Sequence, residues 1–141
     1  MYEEKKYTKK DNKIRGSGII YYYIKNNIHH ILCVKGKLSR KWGLPKGSFK
    51  DKDEKYKECA IREMHEETNV IIEPSHLSNK SLDFGNHKYY IVKAFTLEDI
   101  KCNDTSEINE IRFLSETQIN NLEKYKKNLG LRKFMKWLIG D

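Results

Sequence analysis

Residues 42–70 read WGLPKGSFKDKDEKYKECAIREMHEETNV. Tyr56, Cys59 and Ala60 recur at helical spacing and predict a helix over about 52–68, with Asp51 as N-cap, Glu54 as its third-position partner and Asn69 as a left-handed stop. At about 100° per residue, Glu63, Glu66 and Glu67 continue that stripe, whereas Glu54 falls on the solvated side. Acids at the negative end of a helix dipole cost ~0.3–1 kcal/mol each, and pairs three or four residues apart repel. Arg62 can bridge Glu58 and Glu66, each four residues away, but one guanidinium cannot neutralise the whole set. Carboxylate oxygens clustered on a rigid helix are what a hard divalent cation such as Mg²⁺ or Mn²⁺ takes as ligands. The helix end therefore predicts a metal centre.

The rest of the chain sets the context. At 141 residues and 38% hydrophobic it fits one domain, 1–141, with a polar lead-in at 1–13. No stretch approaches the ~20 apolar residues of a membrane span, and the first residues lack a signal-peptide core, which predicts a soluble, cytoplasmic protein. Cys33, Cys59 and Cys102 make no close-spaced pair, so they read as packed, reduced thiols and not as a zinc site. A net charge of +8 and a pI near 9.3 favour an anionic partner, with phosphate foremost.

The runs at 18–24 and around 31–34 predict a hairpin turned by Lys-Asn-Asn, with further strands at 88–97 and 110–114 and a weaker one in SLDFG. Val70 reads as the start of another strand. Helices are expected at 116–127, opened by a Ser115/Gln118 capping box, and at 130–139, where Leu131, Phe134, Met135 and Leu138 share a face. Strands interleaved with helices predict an α/β sandwich with a mixed sheet. His29 and His30 read as a strand-edge pair with no catalytic role.

The segment EKYKECAIREMHEETNV resembles the Nudix hydrolase box: a glycine, five residues, a glutamate, seven residues, then Arg-Glu-apolar-x-Glu-Glu-x-Gly-apolar. Glu54, Arg62, Glu63, Met64, Glu66, Glu67 and Val70 match. Six residues separate Gly47 from Glu54, and Asn69 stands for the closing glycine. The resemblance implies a Nudix-type α/β/α sandwich carrying the box on a loop–helix–loop. It implies Glu63 and Glu67 as metal ligands, Glu66 as a further ligand or an orienter of the metal's water, and the Gly47 carbonyl as another ligand. The extra residue is expected to be absorbed in 50–53. Arg62 would hold the carboxylates, Glu54 would be structural or bind an outer metal, and Lys46 would steady a phosphate oxygen. Relatives also bring a glutamate from outside the box as metal ligand or base. By strand alternation from Phe113, Glu107 is the candidate and Glu110 its rival.

The implied reaction is metal-dependent hydrolysis of a pyrophosphate linked to a nucleoside. KWGLPKG before the box is similar to a run in the mRNA-decapping branch, and its Pro-Lys-Gly to the diadenosine tetraphosphate hydrolases. Capped RNA is therefore the first expected substrate, then dinucleoside polyphosphates, then diphosphoinositol polyphosphates. A non-catalytic binding module is the alternative of another class. Trp42, Tyr89 and Tyr90 are candidates to stack on a base, although one of the two tyrosines must face the core. Lys35, Lys37, Arg40 and Lys41 are candidates to track a phosphate chain.

Overall fold

The computed structural model describes residues 14–103 and 105–140, so the lead-in expected at 1–13 lies outside them. Along the chain come β1 (Gly16–Lys25), β2 (Ile28–Gly36), β3 (Trp42–Gly43), β4 (Lys46–Ser48), α1 (Tyr56–Thr68), β5 (Leu82–Phe84), β6 (His87–Lys93), β7 (Ile108–Ser115), α2 (Glu116–Asn121) and α3 (Leu129–Ile139). Asn26 and Asn27 join β1 to β2 with φ of 53° and 65°, as a two-residue hairpin turn requires.

β1 pairs in parallel with β6, from Gly16↔His87 to Tyr22↔Lys93, and antiparallel with β2 beyond Tyr22. β7 covers the other edge of β2, and β5 the other edge of β6, so the sheet is mixed. Because β1 and β6 have helices over both faces, their side chains are buried in alternation on each side. Ile19, Tyr21, Tyr90 and Val92 pack with Tyr56, Ala60 and Met64 of α1. Ile20 and Tyr89 pack with Ile119 of α2 and with Leu131, Phe134 and Met135 of α3. The result is the expected α/β/α sandwich.

Several boundaries differ from the sequence reading. Residues 69–73 form no strand, since the extended chain at Val70 has no pairing partner and leads into a 3-10 turn at Pro74–His76. The helix expected over 116–127 stops at Asn121: Ile119 is its one buried residue, and the polar chain after it has no apolar stripe to bury. β6 ends at Lys93 because the Tyr21 hydroxyl accepts from the N–H groups of Phe95 and Thr96, both at 3.2 Å, and turns the chain away. β3 and β4 were not anticipated. They exist because β1 and β2 splay apart, and residues 42–48 fill the fork, with Gly16–Gly18 pairing β4 and Val34–Lys35 pairing β3. At its apex, Ile19 N–H donates to the Pro45 carbonyl at 3.1 Å.

This fork brings Lys46 and Gly47 against α1, and it closes only because β1 begins with glycine. A Cβ at Gly16 would strike the backbone carbonyl of Gly47, which cannot swing aside. Gly16→Ala should therefore lower the stability by about 1–3 kcal/mol, the usual cost of overpacking. Urea unfolding measures this; an unchanged midpoint would show that β4 is not seated so closely.

Candidate active site

Lys55 precedes α1, and its N–H donates to Glu58 Oε1 at 3.0 Å. Asp51, the expected cap, instead closes its own turn by accepting from Asp53 N–H at 2.9 Å. The chain turns at 50–53, the stretch expected to absorb the residue in excess of the box spacing. Glu54, expected on the solvated side, is 8% exposed, because it precedes α1 and is drawn in by Arg62. Nε and Nη2 of Arg62 donate to the two Glu54 oxygens at 2.7 and 2.9 Å. Nη1 donates to Glu63 at 3.0 Å and to Glu66 at 3.2 Å, while Nη2 also reaches the Ser48 carbonyl at 3.0 Å. The expected Arg62–Glu58 bridge does not form, since Glu58 serves Lys55. Hydrogen bonding from Arg62 holds the Glu54 carboxyl below its ordinary range.

The Glu63 carboxylate lies directly on Gly47, where any Cβ would collide with it. Glu67 Oε1 accepts from Lys46 N–H at 3.1 Å. Both acids are buried, at 9% and 6% exposure. They line a cleft of about 400 Å³ together with Lys41, Lys46, Gly47 and Glu107. Burial raises the Glu63 carboxyl, and the charges of Glu66 and Glu107 push the same way, against Arg62. Burial, then the charge of Glu63, pushes Glu67 up to about 8. Glu107 lies just before β7, with its carbonyl accepting from Lys37 N–H at 2.8 Å. Its rival Glu110 pairs with Lys35, at 3.9 Å, and with Arg112.

Other expected residues sit elsewhere. Glu66 leans out toward Arg62, and among the described residues no three acidic, histidine or cysteine side chains converge as a ready-made cation cage. The Gly47 carbonyl accepts from Cys59 Sγ at 3.4 Å. Trp42 is buried in the core beside Leu44, with Lys35 Nζ 5.8 Å from its ring centroid. Tyr89 and Tyr90 are 1% and 4% exposed, one on each face of the sheet, so neither presents its ring to a base. Reading alternation as one tyrosine in and one out failed because β6 is interior. Lys37 Nζ donates to the Thr105 carbonyl at 3.2 Å, and Arg40 is exposed with φ of 60°. His29 pairs with Glu116, and His30 stacks on Tyr23.

Among the cleft residues that escaped the sequence reading are His87 and Asn128. His87 Nε2 is buried without a hydrogen-bond partner; burial, then the charge of Lys46, pushes the imidazole down to about 4, so it is neutral near pH 7. Asn128 caps α3, its Oδ1 accepting from Leu131 N–H at 2.9 Å, and packs on Gly43. Its N-cap position ahead of a predicted helix was a usable signal.

A family profile described as NUDIX domain matches residues 15–138. The chain belongs to the Nudix family. It is similar to the mRNA decapping complex subunit 2 of Schizosaccharomyces pombe, with 31% identity over 114 residues, 77% of this chain. The Nudix chain spans only 15% of that relative's length. Its fold is similar to a C. elegans Ap4A hydrolase in a binary complex, at 21% identity and a TM-score of 0.61, covering 91% of this chain and 99% of that one. It is also similar to the M. smegmatis Nudix hydrolase RenU, at 16% identity and a TM-score of 0.68, covering 91% and 84% of the two chains. No helix among the described residues of this Nudix chain is long and apolar enough to cross a membrane.

The buried Nudix-box acids give a pH test. Glu67 titrates near 8 when folded and near 4.5 ordinarily, so between these values the folded state holds the extra proton. Stability is full below pH ~4.5 and is lost as pH rises toward 8. In EDTA, Glu67→Gln, which carries no charge, should become progressively more stable than the parent from pH 5 to pH 8, by at least about 1 kcal/mol. Urea unfolding at the two pH values measures the gap, and a constant gap would remove the buried proton from Glu67.

Proposed function

We propose that this Nudix hydrolase cleaves the pyrophosphate linkage of 7-methylguanosine-capped RNA, with Glu107 as general base and Glu63 and Glu67 as metal ligands. The observation that carries the reading is the cleft lined by these three carboxylates and Lys46, with Glu63 and Glu67 buried in it. Nudix hydrolases generally use divalent metals, and Mg²⁺ or Mn²⁺ fits this donor set. The ligands are hard carboxylate oxygens whose burial and mutual repulsion a cation relieves, and Gly47 leaves the space beside Glu63 free of a side chain. Such a cation, when bound, neutralises pyrophosphate charge and acidifies a water.

The chain's own residues do the rest. Arg62 keeps Glu63 and Glu66 oriented through Nη1 and anchors them to Glu54. Lys46, in the lining of the cleft, supplies positive charge for a phosphoryl oxygen. Glu107 takes a proton from water as its oxygen bonds to phosphorus. The bond from phosphorus to the bridging oxygen breaks, and its electron pair leaves with the second phosphate.

For capped RNA in particular, the support is the similarity to a decapping subunit and a second, basic groove. This groove, of about 410 Å³ between α2 and α3, is lined by Lys124, Lys127, Arg132, Lys133 and Lys136. Arg132 Nε is buried there without a hydrogen-bond partner, and burial, then the charge of Arg132, lowers the Lys127 pKa. Lys127 precedes Asn128 of the cleft, so an RNA leaving the cleft has a basic path ahead of it. Of the lysines expected to do this near Trp42, Lys35 is held by Glu110 and Lys37 by the Thr105 carbonyl, while Lys41 lines the cleft. A cytoplasmic place of action goes with this substrate. Dinucleoside polyphosphates are the second reading, favoured by the Pro45-Lys46-Gly47 run. They would leave the α2–α3 groove without a role. A non-catalytic module would have no use for a complete set of box carboxylates.

With Mg²⁺ or Mn²⁺, Glu107→Gln should lower kcat by about 100-fold with little change in KM, and Glu110→Gln should do little. The reverse pattern in steady-state kinetics would exchange their roles.

Release of methylated guanosine diphosphate from capped RNA of a few tens of nucleotides should outpace cleavage of the free cap dinucleotide. RNA affinity should fall with salt by about 0.7 log units per log unit for each phosphate contact. Lys133→Gln and Lys136→Gln should each flatten that slope and leave the dinucleotide rate unchanged. Equal rates on both substrates, or a preference for diadenosine tetraphosphate at every salt concentration, would overturn the RNA reading.

A further inference from the structure

Asn69 stands where the box pattern has glycine, and its φ of 68° and ψ of 2° are the left-handed values a glycine would adopt more easily. A side chain retained at that strained position invites the question of what it does. Its Nδ2 donates to the Asp99 carbonyl at 2.8 Å, and its Oδ1 accepts from Asn103 Nδ2 at 2.9 Å. The other proton of the Asn103 amide goes to the His65 carbonyl at 3.0 Å. Two backbone groups complete the contact: Asn103 N–H donates to the Glu66 carbonyl at 3.0 Å and Lys101 N–H to the Thr68 carbonyl at 3.1 Å.

These bonds satisfy the Glu66 and Thr68 carbonyls at the end of α1, and add a second donor to the His65 carbonyl, which also accepts from Asn69 N–H at 2.9 Å. They also join two parts of the cleft. The helix end carries Glu63 and Glu67, and the segment that caps it runs on to Glu107 only four residues after Asn103. Beyond Glu107 the strand β7 begins, and its carbonyl is held by Lys37 N–H. On the other side the segment is fixed by the Tyr21 hydroxyl, which donates to the Thr96 carbonyl at 2.9 Å. Between those ends, Ile100 packs against the core cluster that includes Ala60 and Met64 of α1, and the two asparagines and Lys101 hydrogen-bond to the end of the helix.

We infer that Asn69, through Asn103, is a positioning residue that locks the segment bearing Glu107 onto the C-terminal end of α1, setting the base in register with the carboxylates of the box. This rests on the reading of Glu107 as the base. A glycine at 69 would end the helix equally well but would leave Asp99 and Asn103 without their side-chain partner. The arrangement thus replaces a conformational role with a connecting one.

The test is Asn69→Gly, which keeps the left-handed stop and removes only the side-chain bonds. In the full chain, amide exchange at Lys101 and Asn103 should accelerate while α1 and the sheet keep their protection. On capped RNA with Mg²⁺, kcat should fall about tenfold with KM within about twofold, as for displacement of a reacting group. In a Glu107→Gln background the same change should cost no further activity. Unchanged exchange at Lys101 and Asn103 would remove the lock, and faster exchange with an unchanged kcat would reduce Asn69 to a structural cap. An undiminished kcat in Glu107→Gln alone would instead overturn the base assignment, and the exchange data would still decide whether the asparagines hold the segment.

Discussion

Arg62 donates to Glu54, Glu63 and Glu66 at once, and the acidic end of α1 depends on it. Three glutamates within two helical turns repel, and two of them are buried where water screens them poorly. The planar guanidinium meets this in a way a lysine could not, pairing both oxygens of Glu54 while a third nitrogen faces the box. Its bond to the Ser48 carbonyl extends the tie to β4, and Glu54 accepts from Lys50 N–H at 2.9 Å, so hydrogen bonds link the strand in the fork, the turn at 50–53 and the helix. Arg62 leaves Glu67 without a direct partner among its donors. Glu67 has a single backbone N–H, from Lys46, and holds its proton to about pH 8. A cation is needed most where the arginine does not reach.

Sheet topology supplies the third carboxylate. β2 pairs with β7 from His30↔Ser115 to Lys35↔Glu110, and the register then shifts so that Gly36 faces Ile108. This irregularity lies beside the start of β7, just after Glu107, which lines the cleft together with Glu63 and Glu67 of α1. The glycines at the fork serve the same geometry, since Gly16 admits the Gly47 carbonyl and Gly47 admits the Glu63 carboxylate. Close backbone approach on one side and buried charge on the other share a few residues.

What could be read from the sequence was what repeats locally. The box stripe at Tyr56, Cys59, Ala60 and Glu63 obeys helical period, and the structure buries all four. The hairpin at Lys25-Asn26-Asn27 and the left-handed Asn69 follow from residue chemistry at single positions. What failed needed a partner distant in the chain. Glu54 precedes α1, so projecting it on a helical wheel put it in solvent, whereas Arg62 reaches back eight residues to bury it. Tyr90 and Tyr89 look like inside and outside until β6 is known to have a core on each face. Trp42 beside a lysine run looks like a stacking platform, but it belongs to a two-residue strand that exists only because β1 and β2 diverge. Asn103 carried no local signal, because its role is defined by carbonyls of another element.

The overall charge of +8 and the acidic cleft act over different distances, and this separates their tasks. Fields from exposed lysines fall off over about 8 Å at physiological ionic strength, enough to draw a polyanion toward the surface. Inside the cleft the buried carboxylates face one another at short range, where their repulsion favours a cation and opposes a phosphate arriving without one. Lysines crowded into the cleft would cancel those carboxylates and compete with the cation for them. Of the described lysines, Lys41 and Lys46 line the cleft, and five basic side chains are gathered instead in the α2–α3 groove, beginning next to Asn128. On the proposed reading, keeping attraction for the polymer outside the cleft, and affinity for the cation within it, would let one small fold bind both without either neutralising the other.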